Sequence, residues 1–171
     1  MKKTEISSII SEFVKNSEFN KLPAEIAIYP ELAGMEIFDE PLIGFSSAKD
    51  SLYTEIFKKD GIVSPEYLAP SEWLEDAETV ISFFLPFSQQ IRKSNIKEKD
   101  VPYQEGLPQR ASAEWLHGRI EGQNFINELT AYTTGILKNK GFDCVCPSTS
   151  DRFRIIKPFV SNWSERHAAY A

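Results

Sequence analysis

The stretch from Ser112 to Gly141 constrains this chain most, because it reads as one uninterrupted helix of about eight turns. Ser112 suits the cap position and Gly141 the terminating one, while Lys138 and Lys140 suit the helix's negative end. Leu116, Ile120, Ile126, Leu129, Ile136 and Leu137 supply most of the expected core-facing stripe. Gly118 and Gly122, one turn apart, leave a smooth patch where another backbone can come close.

Apolar runs elsewhere supply strands. Leu42, Ile43 and Phe45 form a short one, and Gly44 within it marks a bulge or a close approach. Thr79 to Leu85 is nearly continuous in β-branched and aromatic residues and is stopped by Pro86, so it reads as a central strand buried on both faces. Phe142 to Pro147 reads as a third strand, with a further one near 153–157. Between them the sequence predicts short helices. Thr4 caps one carrying Ile6, Ile9, Ile10, Phe13 and Val14, and others fall at 50–57, after Ser64-Pro65 and after Ser71. Residues 15–38 read as irregular, with a short strand near Glu25–Tyr29. Strands alternating with helices point to an α/β (α+β) class, a mixed sheet flanked by helices. At 171 residues the chain is expected to form a single domain over 1–171.

Several function classes lose support. No Gly-x-Gly-x-x-Gly follows a strand, no Gly-Lys-Ser/Thr occurs and no nucleophile elbow is present. His117 and His167 are the only histidines, too few for a zinc hydrolase and unpromising for a triad. A net charge of −6 disfavours nonspecific nucleic-acid binding. No run approaches the ~18 apolar residues of a membrane span, and the basic start lacks an apolar segment of signal type, so a cytoplasmic location is expected. Cys144 and Cys146 are too few for an iron–sulfur or zinc site and read as small buried residues, with a redox role as the minor alternative.

Candidate ligand groups cluster at strand ends. Ser46 and Ser47 follow the first strand, where open α/β sheets bind ligands, although a strand-end turn is the plainer reading. Ser148, Thr149 and Ser150 follow the third, where hydroxyls and backbone N–H groups could cradle an anionic or amide-rich ligand, and again a capped turn is the plainer reading. Arg152, Arg154, Lys157 and Arg166 make the tail basic. Residues 88–111 lack an apolar period and read either as a lid or tRNA-contacting loop or as a disordered excursion. Near the end, Asn162 with Glu165 three residues later reads as a capping box that opens a helix with no stop signal before Ala171. A longer parent protein is therefore expected.

Four stretches carry a resemblance: Asp39-Glu-Pro-Leu-Ile-Gly-Phe, Leu68-Ala-Pro-Ser-Glu-Trp-Leu with the run after Thr79, Trp115-Leu-His-Gly-Arg-Ile-Glu-Gly-Gln, and Asn162-Trp-Ser-Glu-Arg-His-Ala-Ala-Tyr-Ala. Together they resemble the epoxyqueuosine reductase-like iron–sulfur proteins over most of the chain, from about residue 39 onward. The resemblance implies a corrinoid-binding-type N-terminal domain, with cobalamin as cofactor. It also implies a separate ferredoxin-like C-terminal domain holding two [4Fe–4S] clusters, all of whose cysteines would lie beyond Ala171. The implied activity is reduction of a modified tRNA base, with tRNA or a redox protein as partner, and a non-catalytic ligand-binding or electron-transfer module is the alternative. Ser46, Ser47, Ser148, Thr149, Ser150, Trp163 and Arg166 are the cofactor-binding candidates. Phe159 stands where epoxyqueuosine reductases carry the aspartate regarded as proton donor, which leaves Glu165 or Tyr170 to serve instead. Trp163, Tyr170 and the Gly118/Gly122 patch are expected to be exposed where the second domain, or another copy, docks.

Overall fold

The computed structural model describes residues 1–59, 61–98 and 111–171. Its elements in chain order are α1 (Lys3–Asn16), β1 (Leu42–Ser47), a π-helical segment (Leu52–Lys59), α2 (Pro70–Trp73), β2 (Thr79–Phe84), α3 (Gln89–Glu98), α4 (Ala113–Asn139), β3 (Ile155–Lys157), β4 (Val160–Ser161) and α5 (Glu165–Tyr170). They separate into two compact units, Met1–Pro41 with Leu85–Leu129 and Leu42–Phe84 with Thr130–Ala171. The class is α+β. The expected mixed sheet is replaced by two antiparallel pairs, β1–β2 and β3–β4.

In the first unit, α1 buries Ile6, Ile10 and Val14, one residue per turn. Thr4 lies inside α1 rather than capping it, since Lys2 holds the cap position without a side-chain bond. Glu25–Tyr29 forms no strand, because Ala24–Ile26 is a tight 3₁₀ turn. Asn20, buried, donates from Nδ2 to the carbonyls of Val14 and Phe38 and accepts the Phe38 N–H at 2.9 Å. These bonds hold Phe38 where it stacks on Phe87 at 5.3 Å and meets Phe125 of α4 at 5.6 Å.

The α4 stripe follows from those rings. Gly118, Gly122, Phe125 and Leu129 are buried, whereas Leu116 and Ile120 are exposed. The glycines are the positions at which Phe38 and Phe87 can come against the helix, so their face turns inward and Ile120, on the opposite side, turns out. The patch expected to be open is thus covered by the unit's own aromatic rings. Ser112 caps α4, its Oγ accepting the Trp115 N–H at 3.1 Å. At the other end Gly141 has φ +81°. The amides of Gly141 and Phe142 bond back to Lys138 and Leu137, a Schellman closure.

In the second unit, β1 pairs with β2 from Leu42↔Phe84 to Ser47↔Thr79. β2 is partly exposed along its length, not buried on both faces, and among the described residues its one ladder partner is β1. The antiparallel pairing also removes the strand-end crevice of a parallel sheet, so Ser46 and Ser47 lie opposite Val80 and Thr79. The core gathers Tyr53, Phe57, Tyr67, Ala69, Trp73, Trp163 and Ala168. Ser64-Pro65 starts a turn closed by Tyr67 N–H to the Ser64 carbonyl, not a helix. Pro70 opens α2 after Ala69, whose N–H is accepted by Glu72 at 2.8 Å, so Ser71 is inside the helix rather than its cap. Residues 142–146 belong to no strand among the described residues, so the expected third strand does not form. Of the loop read at 88–111, α3 takes 89–98, and 99–110 lie outside the described residues. No helix among the described residues is long and apolar enough to cross a membrane.

Adding a Cβ at Gly122 would place it 2.9 Å from Phe38 Cζ, whereas at Gly135, also in α4, it would meet nothing within 4 Å. Gly122→Ala is expected to destabilise the protein by about 1–3 kcal/mol through overpacking. Gly135→Ala should stabilise it by roughly 0.5–1 kcal/mol through helix propensity. Urea denaturation of both variants checks the contrast.

Candidate functional site

The candidate residues near the end of the chain are placed by the residues just before α5. Asn162 is buried and does not cap the helix. Its Oδ1 accepts the Arg154 N–H at 3.0 Å and its Nδ2 donates to the Arg152 carbonyl at 3.0 Å. Its backbone bonds to Arg154 and Leu68 as well. Trp163, expected at a surface, is buried, stacked on Tyr67 at 6.0 Å and meeting Trp73 edge-on. Ser164 takes the cap position, but its Oγ bonds the ring of His167 at Nδ1 (2.8 Å) rather than a backbone amide. His167 in turn presents an edge to Phe57 at 5.0 Å.

Helical geometry then sorts the face of α5. Ala168 is buried, and at 100° per residue the direction opposite it falls between Arg166 and Tyr170. Those two side chains, spaced i, i+4, are neighbours on the outer surface, and Tyr170 is 78% exposed. Glu165 is also exposed but lies about 140° around the helix from Tyr170, so the two proton-donor candidates do not share a face.

Ser46 reaches α5 indirectly. Its Oγ bonds the Tyr53 hydroxyl at 2.8 Å, and that hydroxyl reaches the Ala168 carbonyl at 3.4 Å. Burial pushes the Tyr53 phenol up, against the opposing effect of Ser46, so it remains a neutral strut. Burial does the same to Tyr67. The remaining hydroxyls make local bonds. Ser47 accepts the Lys49 N–H, Ser148 pairs with Cys146 Sγ at 3.3 Å, Thr149 donates to the Cys146 carbonyl, and Ser150 bonds Asp151 and the Arg152 N–H. The turn at 147–150 thus ties its side chains to its own neighbours.

Arg152, expected only as part of a basic tail, is a clasp. Its guanidinium donates to the Glu72 and Trp73 carbonyls and lies 5.2 Å over the Trp73 ring. Burial would raise the Glu72 carboxyl, but the Lys58 ammonium, the Ala69 N–H and Arg152 outweigh it and hold that group below the usual range. His117 accepts the Ile28 N–H at Nε2 (3.0 Å), a satisfied structural role within the first unit. A cleft of about 550 Å³ in the first unit, with Phe19, Glu121 and Glu128 in its wall, includes none of the expected site residues. Among the described residues no three His, Cys, Asp or Glu side chains gather as metal ligands. Tyr53 had no sequence signal as a linker to α5, since Ala168 lies 115 residues further along the chain.

No protein-family model, curated protein or solved structure matches the chain.

Phe159 sits at the tip between β3 and β4, fully exposed, with φ +65°. A turn residue at positive φ is usually Gly or Asn, and a bulky side chain there is strained. Phe159→Gly removes that strain and gives up no burial. It is expected to stabilise the fold by roughly 1 kcal/mol, read as a raised thermal midpoint.

Proposed function

We propose that the chain is the N-terminal part of an oxidoreductase resembling the epoxyqueuosine reductase-like proteins, with α5 presented to a corrinoid. The [4Fe–4S] clusters would be held outside this chain, and the substrate would be a modified tRNA base in the cytoplasm. The observation that supports this reading is the face of α5. Arg166 and Tyr170 stand side by side toward solvent on a helix whose other side is fixed by Ala168, within the run that carries the resemblance. A cation beside a phenol suits an anionic, hydrogen-bonding ligand.

The other cofactor candidates fit a corrinoid poorly. Trp163 is buried, and the hydroxyls of Ser46, Ser47, Ser148, Thr149 and Ser150 are engaged with their own neighbours. They make no ready cradle, so no reaction step is assigned through the corrinoid. The groups the chain itself offers for carrying a proton are the Glu165 carboxyl and the Tyr170 hydroxyl, both at the surface. Phe159 can hold none. That position favours the second reading, a ligand-binding or electron-transfer module without its own proton donor.

Anaerobic titration with cob(II)alamin tests the proposal. Saturable binding with the lower base detached in the EPR spectrum is expected, weakened about tenfold or more when Arg166 and Tyr170 are both changed to Ala. Absence of binding, or binding indifferent to that double change, would overturn it.

A further inference from the structure

Cys144 and Cys146 are the chain's only cysteines. Both are half-buried, while Val145 between them is exposed. The backbone at Cys146 is extended (φ −103°, ψ 113°), and the alternation of exposure places both thiols on the less exposed side of the backbone. Each has a different neighbour. Cys144 Sγ donates to the Thr134 carbonyl of α4 at 3.5 Å, and Cys146 Sγ lies 3.3 Å from Ser148 Oγ. The first thiol is anchored to a helix, the second to a hydroxyl in a surface turn.

Residues two apart on an extended chain are about 6.6–6.8 Å apart at Cα. This is the upper end of the range a disulfide spans. Closing the bond requires the backbone to contract. Among the described residues no β-ladder includes 142–146, so the contraction breaks none of the sheet hydrogen bonds seen there.

We propose that Cys144 and Cys146 form a dithiol–disulfide exchange site whose co-reactant is a small disulfide of the glutathione type. Cys146, as thiolate, attacks one sulfur of the small disulfide. That S–S bond breaks, one small thiolate leaves, and a mixed disulfide remains on Cys146. Cys144 then attacks the Cys146 sulfur and expels the second small thiol, closing the internal disulfide. The protein loses two electrons and two protons, and the small disulfide becomes two thiols. The order follows from surroundings. Burial pushes the Cys144 thiol up, with Lys138 opposing and Asp143 adding to the shift, so Cys144 is the poorer first attacker. Its bond to Thr134 holds it back until the neighbouring sulfur becomes electrophilic. A tight, contracted disulfide of this kind is readily reduced again, as suits exchange.

The test is incubation of the native chain with glutathione disulfide, then acid quench, alkylation of free thiols and mass spectrometry. The expected product has lost two hydrogens, carries no glutathione, resists alkylation at both cysteines and reverts with dithiothreitol. Cys144→Ser should trap glutathione on Cys146. Stable glutathione adducts on the unaltered protein, disulfides joining two chains, or both thiols still free would each overturn the proposal, and none of these readouts depends on a variant folding.

Discussion

Asn162 carries the constraint on which the second unit depends. A single buried side chain takes the Arg154 N–H and gives to the Arg152 carbonyl, while its own backbone bonds Arg154 and Leu68. It therefore fastens three pieces of chain: the start of the β3–β4 hairpin, the approach to α2 and the entry to α5. Each such bond contributes about 1 kcal/mol net, but a buried partner left without one costs roughly 1–3 kcal/mol. Asn20 does the corresponding work in the first unit, joining the end of α1 to Phe38. Both units have too little sheet to pair their backbone groups by ladders alone, and a buried amide, which offers donors and an acceptor together, supplies the difference.

This explains how so short a helix can hold a defined face. The six residues of α5 are too few to be stable in water alone. Its place is set by Trp163 in the aromatic cluster, by Ala168 against the core and by the Tyr53 hydroxyl on its carbonyl. Arg166 and Tyr170 then point outward as a geometric consequence. The Tyr53 and Ser46 pair is support for that face rather than part of it.

Local signals were legible and distant ones were not. The long helix, its Ser112 cap and its Gly141 stop could be read because each depends on neighbours within a turn. The stripe on α4 was misread at Leu116 and Ile120, since the inward face is chosen by Phe38 and Phe87, which lie far away in sequence. β1 and β2 were recognised as strands, but a run of apolar residues does not reveal its partner or direction, and the mixed sheet failed there. Asn162 matched a capping pattern by spacing, whereas its actual partners, Arg152 and Arg154, precede it in a hairpin that the sequence only hinted at. For the site, the exposure of Arg166 and Tyr170 follows from helical period once Ala168 faces the core. The burial of Trp163 and the local bonds of the serines do not.

The most direct measurement is amide hydrogen exchange on the unaltered protein and on Asn162→Ala. If Asn162 fixes the entry to α5, the variant should lose protection at Leu68, Arg154 and Ala168 together, while Ile37 and Phe38 of the first unit keep theirs. Unchanged protection at Ala168 in the variant would contradict this and leave the aromatic cluster as the sole support of the α5 face.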